Sequence, residues 1–254
     1  MHAAATSSFP LRCYWLEAKY EFLRLLRTPS FAVPSLVFPA LFYLLFGVLL
    51  GTRQGGPDMA RYMLAGYGVF GIMGAGLFGF GVTVASERER GWLTFKRALP
   101  MPPGTYLLAK MAMAMMFAAT ISVILMLLGA FVAKVSLQPE QWALLFAINV
   151  FGVLPFCAIG LLIGTMVGAS AAPAVVNVLY LPMAFLSGLW LPLQVLPPIF
   201  ATLAPVWPSY HLSRIAMSVA GSHADNSVWL HLAVLVVVTV ALSAWARARL
   251  ARCS

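Results

Sequence analysis

The sequence contains very little charge for its length. Only 9% of its 254 residues are aspartate, glutamate, lysine or arginine, and 62% are hydrophobic. Soluble domains carry roughly 25% charged residues, so this chain lacks the polar surface that a soluble fold of its size needs. The composition therefore argues against a soluble enzyme or binding domain and indicates an integral membrane protein.

The chain also lacks the motifs that would give it chemistry of its own. Its three cysteines, Cys13, Cys157 and Cys253, are isolated, so neither a disulfide framework nor a metal site is expected. No G-x-x-x-x-G-K-[ST], H-E-x-x-H or G-x-S-x-G run occurs, which excludes ATP hydrolysis by a phosphate-binding loop and two familiar hydrolase sites. Residues 1–10 do not read as a cleaved signal peptide.

Six apolar segments are long enough to cross a bilayer, whose hydrocarbon core of about 30 Å needs roughly 20 helical residues. They are residues 31–50, 62–85, 106–132, 142–167, 171–191 and 228–246. Prolines within such segments are tolerated as kinks where neighbouring helices satisfy the freed backbone groups. The sequence therefore predicts an all-α integral membrane protein with one transmembrane domain over residues 1–254.

Lysine and arginine are distributed unevenly between the segments that join these spans. Twelve of the sixteen lie in the N-terminal segment, after span two or after span six, and four lie in the other connections. Because loops rich in these residues stay in the cytoplasm, both termini and the loop after span two are predicted to be cytoplasmic. The net charge of +9 is thus explained by topology, and no nucleic-acid partner is expected.

Two further segments are predicted to be helical without crossing the membrane. Residues 10–27 have apolar positions at helical spacing, which predicts an amphipathic helix on the cytoplasmic membrane surface or a plain membrane-proximal tail. Residues 192–219 are apolar but contain five prolines. They are predicted to form short re-entrant helices in the outer leaflet, or an extracellular loop resting on the interface.

A charged stretch over residues 87–99 interrupts the apolar chain between spans two and three. Trp92, Phe95 and Leu99 recur at i, i+3 and i+7, which predicts a short amphipathic helix before Pro100. Such a helix is either a solvated loop that fixes topology or a docking element for a soluble partner, since aromatic anchors amid charge are typical of interfaces.

The interiors of the spans offer few polar side chains, and all seven acidic residues fall in loops or near span ends. A proton-coupled transporter usually needs a carboxylate within the membrane, so ion coupling is not expected. Small residues at Gly68, Gly71, Ala75 and Gly79 predict a packed helix face or a smooth substrate path. Asn177 is predicted to bond across helices or to contact substrate.

The charged stretch resembles the cytoplasmic loop of ABC-2 type permeases, the membrane subunits of many bacterial ABC exporters. The likeness rests on the run from Glu87 to Pro100, the lysine Lys110 at the start of span three, and the proline-rich segment 193–214. Trp92 stands where the family more often has a small residue.

The resemblance implies six helices per subunit, a second permease copy or paralogue, and two ATPase subunits that carry the ATP and magnesium. It makes residues 87–99 a coupling helix. The implied contacts with the ATPase are Glu87, Arg88, Glu89, Arg90, Gly91, Trp92, Phe95, Lys96, Arg97 and Leu99. Charge reversal at Glu87 and Arg88 is then expected to uncouple ATP hydrolysis from transport.

The predicted protein is a non-catalytic permease subunit of the bacterial inner membrane, surrounded by lipid. Its expected cargo is hydrophobic or lipid-linked, a glycan or a drug, and a low-charge path is proposed along Gly68, Gly71, Gly79 and Asn177. Two alternatives stay open at this point: an ion-coupled or passive transporter, and a membrane-embedded enzyme or assembly factor.

Overall fold

The computed structural model describes residues 8–50, 56–98, 104–222 and 227–252. Helices account for most of these residues, and none of them lies in a strand. In chain order the α-helices are α1 Ser8–Leu26, α2 Pro29–Phe42, α3 Gly56–Glu89, α4 Trp92–Ala98, α5 Thr105–Leu127, α6 Pro139–Gly152, α7 Leu154–Met166, α8 Ala172–Leu186, α9 Pro198–Leu203, α10 Pro208–Val219 and α11 Val228–Arg252. The all-helical prediction is confirmed for the described residues.

Several of these helices continue into other helical geometry or run directly into one another. α2 and α5 end in π-helical turns, Tyr43–Leu50 and Leu128–Val132. α6 and α7 meet at Val153, where Pro155 in the first turn of α7 offers no backbone N–H. Single 3-10 turns at Leu193–Val195 and Ala204–Val206 flank α9.

Five helical segments of the described chain are long and apolar enough to cross a membrane. They are Pro29–Leu49, Asp58–Glu89, Thr105–Val132, Pro139–Met166 and Val228–Leu250, and they match predicted spans one to four and six. α8, in the place of predicted span five, has only 15 residues, or about 22 Å of helix. The multi-pass character is confirmed, and the sixth crossing stays a prediction.

A glycine explains why α8 is shorter than the apolar segment that predicted it. Gly188 has a φ of +73°, in the left-handed region that glycine favours. Its N–H donates to the carbonyl of Phe185, and the N–H of Leu189 donates to the carbonyl of Ala184. This arrangement satisfies the last carbonyls of the helix and ends it, although the apolar run continues to Leu191.

α3 is the central helix of the fold. In its most apolar 18-residue stretch, 83% of the residues are buried, whereas the corresponding share for α11 is 11%. Its closest neighbour is α7, where a methyl group added at Gly160 would lie 2.9 Å from the carbonyl oxygen of Leu77. A methyl group at Gly76 would likewise lie 2.8 Å from the Cβ of Phe156. The glycines of span two therefore act at a packed helix face within the subunit.

The segment predicted to be re-entrant consists of short helices joined by prolines. It is tied to α11 by a buried imidazole pair, in which Nδ1 of His211 lies 2.7 Å from Nδ1 of His231. Nε2 of His211 also lies 2.9 Å from the carbonyl oxygen of Pro205. These bonds fix α10 against α11, and the depth of the segment in the membrane stays a prediction.

The substitution Gly160→Ala is expected to lower the stability of the protein by about 1–3 kcal/mol, because the new methyl group meets backbone that cannot rotate away. The matched control is Gly79→Ala, where the nearest atoms are flexible side chains 3.8 Å from the added carbon. Thermal unfolding in detergent should show a lower midpoint for the first variant only. Equal midpoints would contradict this account of the α3–α7 contact.

Candidate functional site

The chain turns sharply at the point where the sequence predicts a single amphipathic helix. α3 continues to Glu89, so Glu87 belongs to its last turn and not to the predicted loop helix. Gly91, with a φ of +71°, then leads into the seven-residue helix α4. The prediction of one helix over residues 87–99 is therefore wrong in its first part, because the left-handed glycine divides it. Leu99 lies outside the described residues.

Six charged side chains from four helices meet beside this turn. We call them the ion cluster: Glu17, Glu21 and Arg24 of α1, Glu87 of α3, Lys96 of α4 and Lys110 of α5. Nζ of Lys110 lies 3.3 Å from Glu21 and 3.0 Å from Glu87. Nζ of Lys96 lies 2.5 Å from Glu17 and 3.0 Å from Glu21.

Arg24 closes the ion cluster into a continuous network. Its Nη2 lies 2.7 Å from Glu21 and 2.6 Å from Glu87. Glu21 and Glu87 therefore each contact Arg24 and Lys110, so α1 and α3 share the same two cations. Tyr106 completes the arrangement by donating its hydroxyl to Glu87 over 2.6 Å.

The centre of the ion cluster is buried, and its formal charges cancel. Lys110 is 0% exposed, and Glu21 and Glu87 are each 5% exposed. Three carboxylates face three cations, so the formal charges of the whole cluster cancel. A buried ion that loses its partner costs several kcal/mol. The cluster therefore restricts how far α1, α3, α4 and α5 can separate.

Lys96 and Arg24, the two partly exposed cations of the ion cluster, are held in their charged forms. Burial would lower the pKa of Lys96, but hydrogen bonds and charge from Glu17 and Glu21 outweigh it, and the pKa lies above its ordinary value. Burial likewise opposes the charge of Arg24, and Glu21 and Glu87 raise its pKa. Both stay protonated at neutral pH, so the network keeps its charge balance there.

A second set of contacts joins the end of α3 to the connection between α7 and α8. Arg88 donates to the carbonyl of Thr165 and, over 2.8 Å, to the carbonyl of Val167. These carbonyls belong to the end of α7, where a cation is favourable. The next residue, Glu89, accepts a hydrogen bond of 2.8 Å from the backbone N–H of Ala169.

The outer surface of the turn presents two aromatic side chains. Trp92 is 49% exposed and Phe95 is 61% exposed. Their rings contact each other edge to face, with centroids 6.4 Å apart. Arg90 and Gly91, which precede them, are also exposed. We call these four residues the aromatic face of the turn.

The ten residues that the resemblance assigned to ATPase contact thus occupy different environments. Four bind other parts of this chain: Glu87, Arg88, Glu89 and Lys96. Four form the aromatic face: Arg90, Gly91, Trp92 and Phe95. Of the remaining two, Arg97 lies in α4 with a side chain outside the described part of the structure, and Leu99 lies wholly outside it.

Sequence reasoning missed most of the partners of this turn. It counted Glu21 among the acidic residues in loops or near span ends and gave it no partner, whereas Glu21 faces the cations of α4 and α5. The available signal was Lys110, since a lysine within an apolar helix needs a carboxylate partner. Nothing in its spacing shows which of the seven acidic residues supplies that partner.

The residues predicted to line a substrate path are not all in one place. Gly68 packs against Asn149, and Gly79 is buried beside Met113 and Phe31. Gly71 and Asn177 share a cleft of about 420 Å³ between α2, α3 and α8. The other residues lining that cleft are Ser30, Phe31, Pro34, Ser35, Phe38, Pro39, Phe42, Phe70, Gly74, Phe78, Tyr180, Leu181 and Trp190. Two of the four predicted residues are therefore candidates for contact with cargo.

Comparison with known proteins identifies relatives of this arrangement. Residues 12–220 match the family model of the ABC-2 type transporter, a range that includes the ion cluster, the aromatic face and the cleft. The chain is also 31% identical over 220 residues to YvfS of Bacillus subtilis (strain 168), a protein described as a transport permease. That alignment covers 85% of this chain and 88% of YvfS.

Removing one member of the ion cluster is expected to destabilise the protein more than removing a balanced pair. Lys110→Met should cost about 3–5 kcal/mol because Glu21 and Glu87 lose their shared cation. Glu87→Gln should also destabilise, and the double variant should lose less than the sum of the two. Thermal unfolding of the four proteins in detergent measures this coupling. Additive losses would contradict a shared network.

Proposed function

The chain belongs to the ABC-2 type transporter family, and we propose from this that it is the permease subunit of an ATP-driven exporter. In this proposal it hydrolyses no ATP itself. A separate ATPase binds ATP and magnesium, docks on the aromatic face and drives the movement of the helices. The permease lies in the bacterial inner membrane with both termini in the cytoplasm.

The observation that carries the proposal is that the aromatic face is exposed while the helix that bears it is held by ion pairs with α1. Trp92 and Phe95 are exposed on α4, directly after the turn that ends the central helix α3, while Lys96, one residue after Phe95, is fixed by two carboxylates of α1. Exposed aromatic side chains surrounded by polar contacts suit a protein interface. A rigid support lets force applied there reach α3.

The contacts of Glu87 and Arg88 make them poor positions for testing the coupling of ATP hydrolysis to transport. Charge reversal at Glu87 or Arg88 would break contacts within the permease, since Glu87 is buried and Arg88 binds the end of α7. Loss of transport in those variants would follow from misfolding as readily as from uncoupling. Trp92 and Phe95 give a cleaner test because both side chains are exposed, and neither belongs to the ion cluster or to the contacts with the end of α7.

The complex is proposed to contain two ATPase subunits and a second permease copy or paralogue, embedded in lipid. Its cargo is proposed to be hydrophobic or lipid-linked, a glycan or a drug. The cleft between α2, α3 and α8 supports a low-charge cargo, since aromatic and apolar residues line most of it. Nε1 of Trp190, which lines the cleft, is buried without a hydrogen-bond partner among the described residues.

The buried carboxylates of the ion cluster require that ion-coupled transport be considered again as an alternative. The sequence offered no buried carboxylate, yet Glu21 and Glu87 are both buried. Their geometry favours a structural role, because Glu21 contacts three cations and Glu87 contacts two, and both lie beside a turn at the end of the helices. Transport driven by a pH gradient in vesicles without any ATPase would favour the alternative.

The double substitution Trp92→Ala and Phe95→Ala is expected to reduce retention of the ATPase at least about 30-fold, as loss of an interface hot spot of 2 kcal/mol or more does. Thermal stability should not change, because both side chains are exposed. The measurement is the amount of ABC-type ATPase, and its ATP hydrolysis, that co-purifies with the tagged permease from membranes.

Trp229→Ala is the matched control for that experiment, because Trp229 is 81% exposed on α11, which begins on the side predicted to face outward. It should leave ATPase retention unchanged. If the unaltered chain retains no ATPase, the proposed function is wrong. If the Trp92 and Phe95 variant retains as much as the unaltered chain, docking occurs elsewhere and the aromatic face has another role.

The cleft is expected to admit water, which a substrate path requires and a lipid-facing surface does not allow. In a chain whose own cysteines are replaced, Asn177→Cys should react with a membrane-impermeant maleimide. Val178→Cys is the control, because Val178 is the neighbouring residue and is 75% exposed on the surface of the helix bundle. A cysteine that faces lipid does not form the reactive thiolate, so this variant should not be labelled. Equal labelling of both positions would argue against a water-filled path beside Asn177.

A further inference from the structure

A second cleft lies on the opposite side of α3 from the proposed substrate path. It has a volume of about 380 Å³ and is formed by α5, α7 and α11 with Phe80 of α3 at its base. Its inner wall is apolar and includes Cys157, Ala158 and Leu161, each less than 5% exposed. Leu108, on the outer rim, is 54% exposed, so the cleft opens to the surroundings of the helix bundle.

The charge in this cleft is of one sign. Arg247 of α11 is exposed at its edge, one helical turn from Ser243, which also lines it. No aspartate or glutamate lines the cleft, and Arg247 has no ion pair among the described residues. An exposed guanidinium readily forms paired hydrogen bonds with a phosphate group.

A second feature of the cleft also favours an anion. α5 begins at Thr105, directly after Gly104, and Gly104 lines the cleft. The positive end of a 23-residue helix therefore points to the same region as Arg247. Gly104 has no side chain that could cap α5, and the backbone there can be approached closely. The helix end supports the guanidinium in this place and would not make a site without it.

We propose that this cleft binds an anionic phospholipid. The phosphate pairs with Arg247 near the start of α5, and an acyl chain lies along Leu108, Met111 and Leu161. Two observations select this ligand class together. Free phosphate would leave the apolar wall unused, and a lipid without net negative charge would leave the charge of Arg247 uncompensated. Arg247 belongs to the group of basic residues predicted to face the cytoplasm, where anionic headgroups attract juxtamembrane cations.

Native mass spectrometry of the purified permease, with its ATPase if one is retained, tests this site. The protein is titrated with phosphatidylglycerol and, separately, with phosphatidylcholine, whose choline cation offsets the charge of its phosphate. Arg247→Gln should weaken phosphatidylglycerol binding at least about 10-fold and weaken phosphatidylcholine binding by a clearly smaller factor. Arg249→Gln is the matched control, because it removes the same charge from the same helix at a position that does not line the cleft, and it should change binding less than twofold.

A third variant tests the apolar part of the cleft with all charges kept. Ser243→Trp fills the space next to Arg247 and should also weaken phosphatidylglycerol binding about 10-fold. Equal losses for Arg247→Gln and Arg249→Gln would overturn the proposal in favour of diffuse attraction to basic residues. Unchanged binding to the Ser243→Trp variant would overturn it as well, since the acyl chain would then lie elsewhere. Thermal unfolding of each variant shows whether it is folded.

Discussion

A single buried ammonium group lies at the centre of the contacts that hold the turn between α3 and α4. Nζ of Lys110 has no exposure to water and lies within 3.3 Å of two carboxylates from two other helices. Because an unpaired ion in such a place costs several kcal/mol, the two carboxylates cannot leave without the lysine. Lys110 therefore joins α1, the end of α3 and the start of α5, and Arg24 reinforces the link between α1 and α3.

The ion cluster also explains how a short helix can have a fixed position. Seven residues of α4 are too few to be stable alone, and its two aromatic side chains face outward. Lys96 binds α1 instead, while Arg88 and Glu89, just before the turn, bind the connection between α7 and α8. The turn is thus held from two sides. Polar contacts therefore help to fix a helix that is too short to be stable alone.

The sequence predicted the parts of this structure that depend on local pattern, and missed those that depend on pairing. Hydropathy identified the long apolar helices, and proline placed the breaks after α1 and around α9. It extended the fifth segment to residue 191 because it cannot show that Gly188 adopts a left-handed conformation. Glu21 was given no partner, since Lys110 is 89 residues away in the sequence. The turn was recognised as important, and the division of its residues between support and exposed surface needed the structure.

The glycines of α3 pack this helix so closely against its neighbours that it is not expected to move independently of them. Glycines on several sides of the helix let its neighbours approach closely: Gly68 faces Asn149, Gly71 faces Ile121, and Gly76 faces Phe156. A helix in such close contact with its neighbours cannot bend or shift alone without opening voids or overlapping atoms. Its end at Glu87 to Glu89 is held equally firmly by the ion cluster and by the end of α7. We therefore expect force applied at the proposed docking face to displace α3 as a rigid body together with its neighbours, including α2, which with α8 completes the wall of the proposed path.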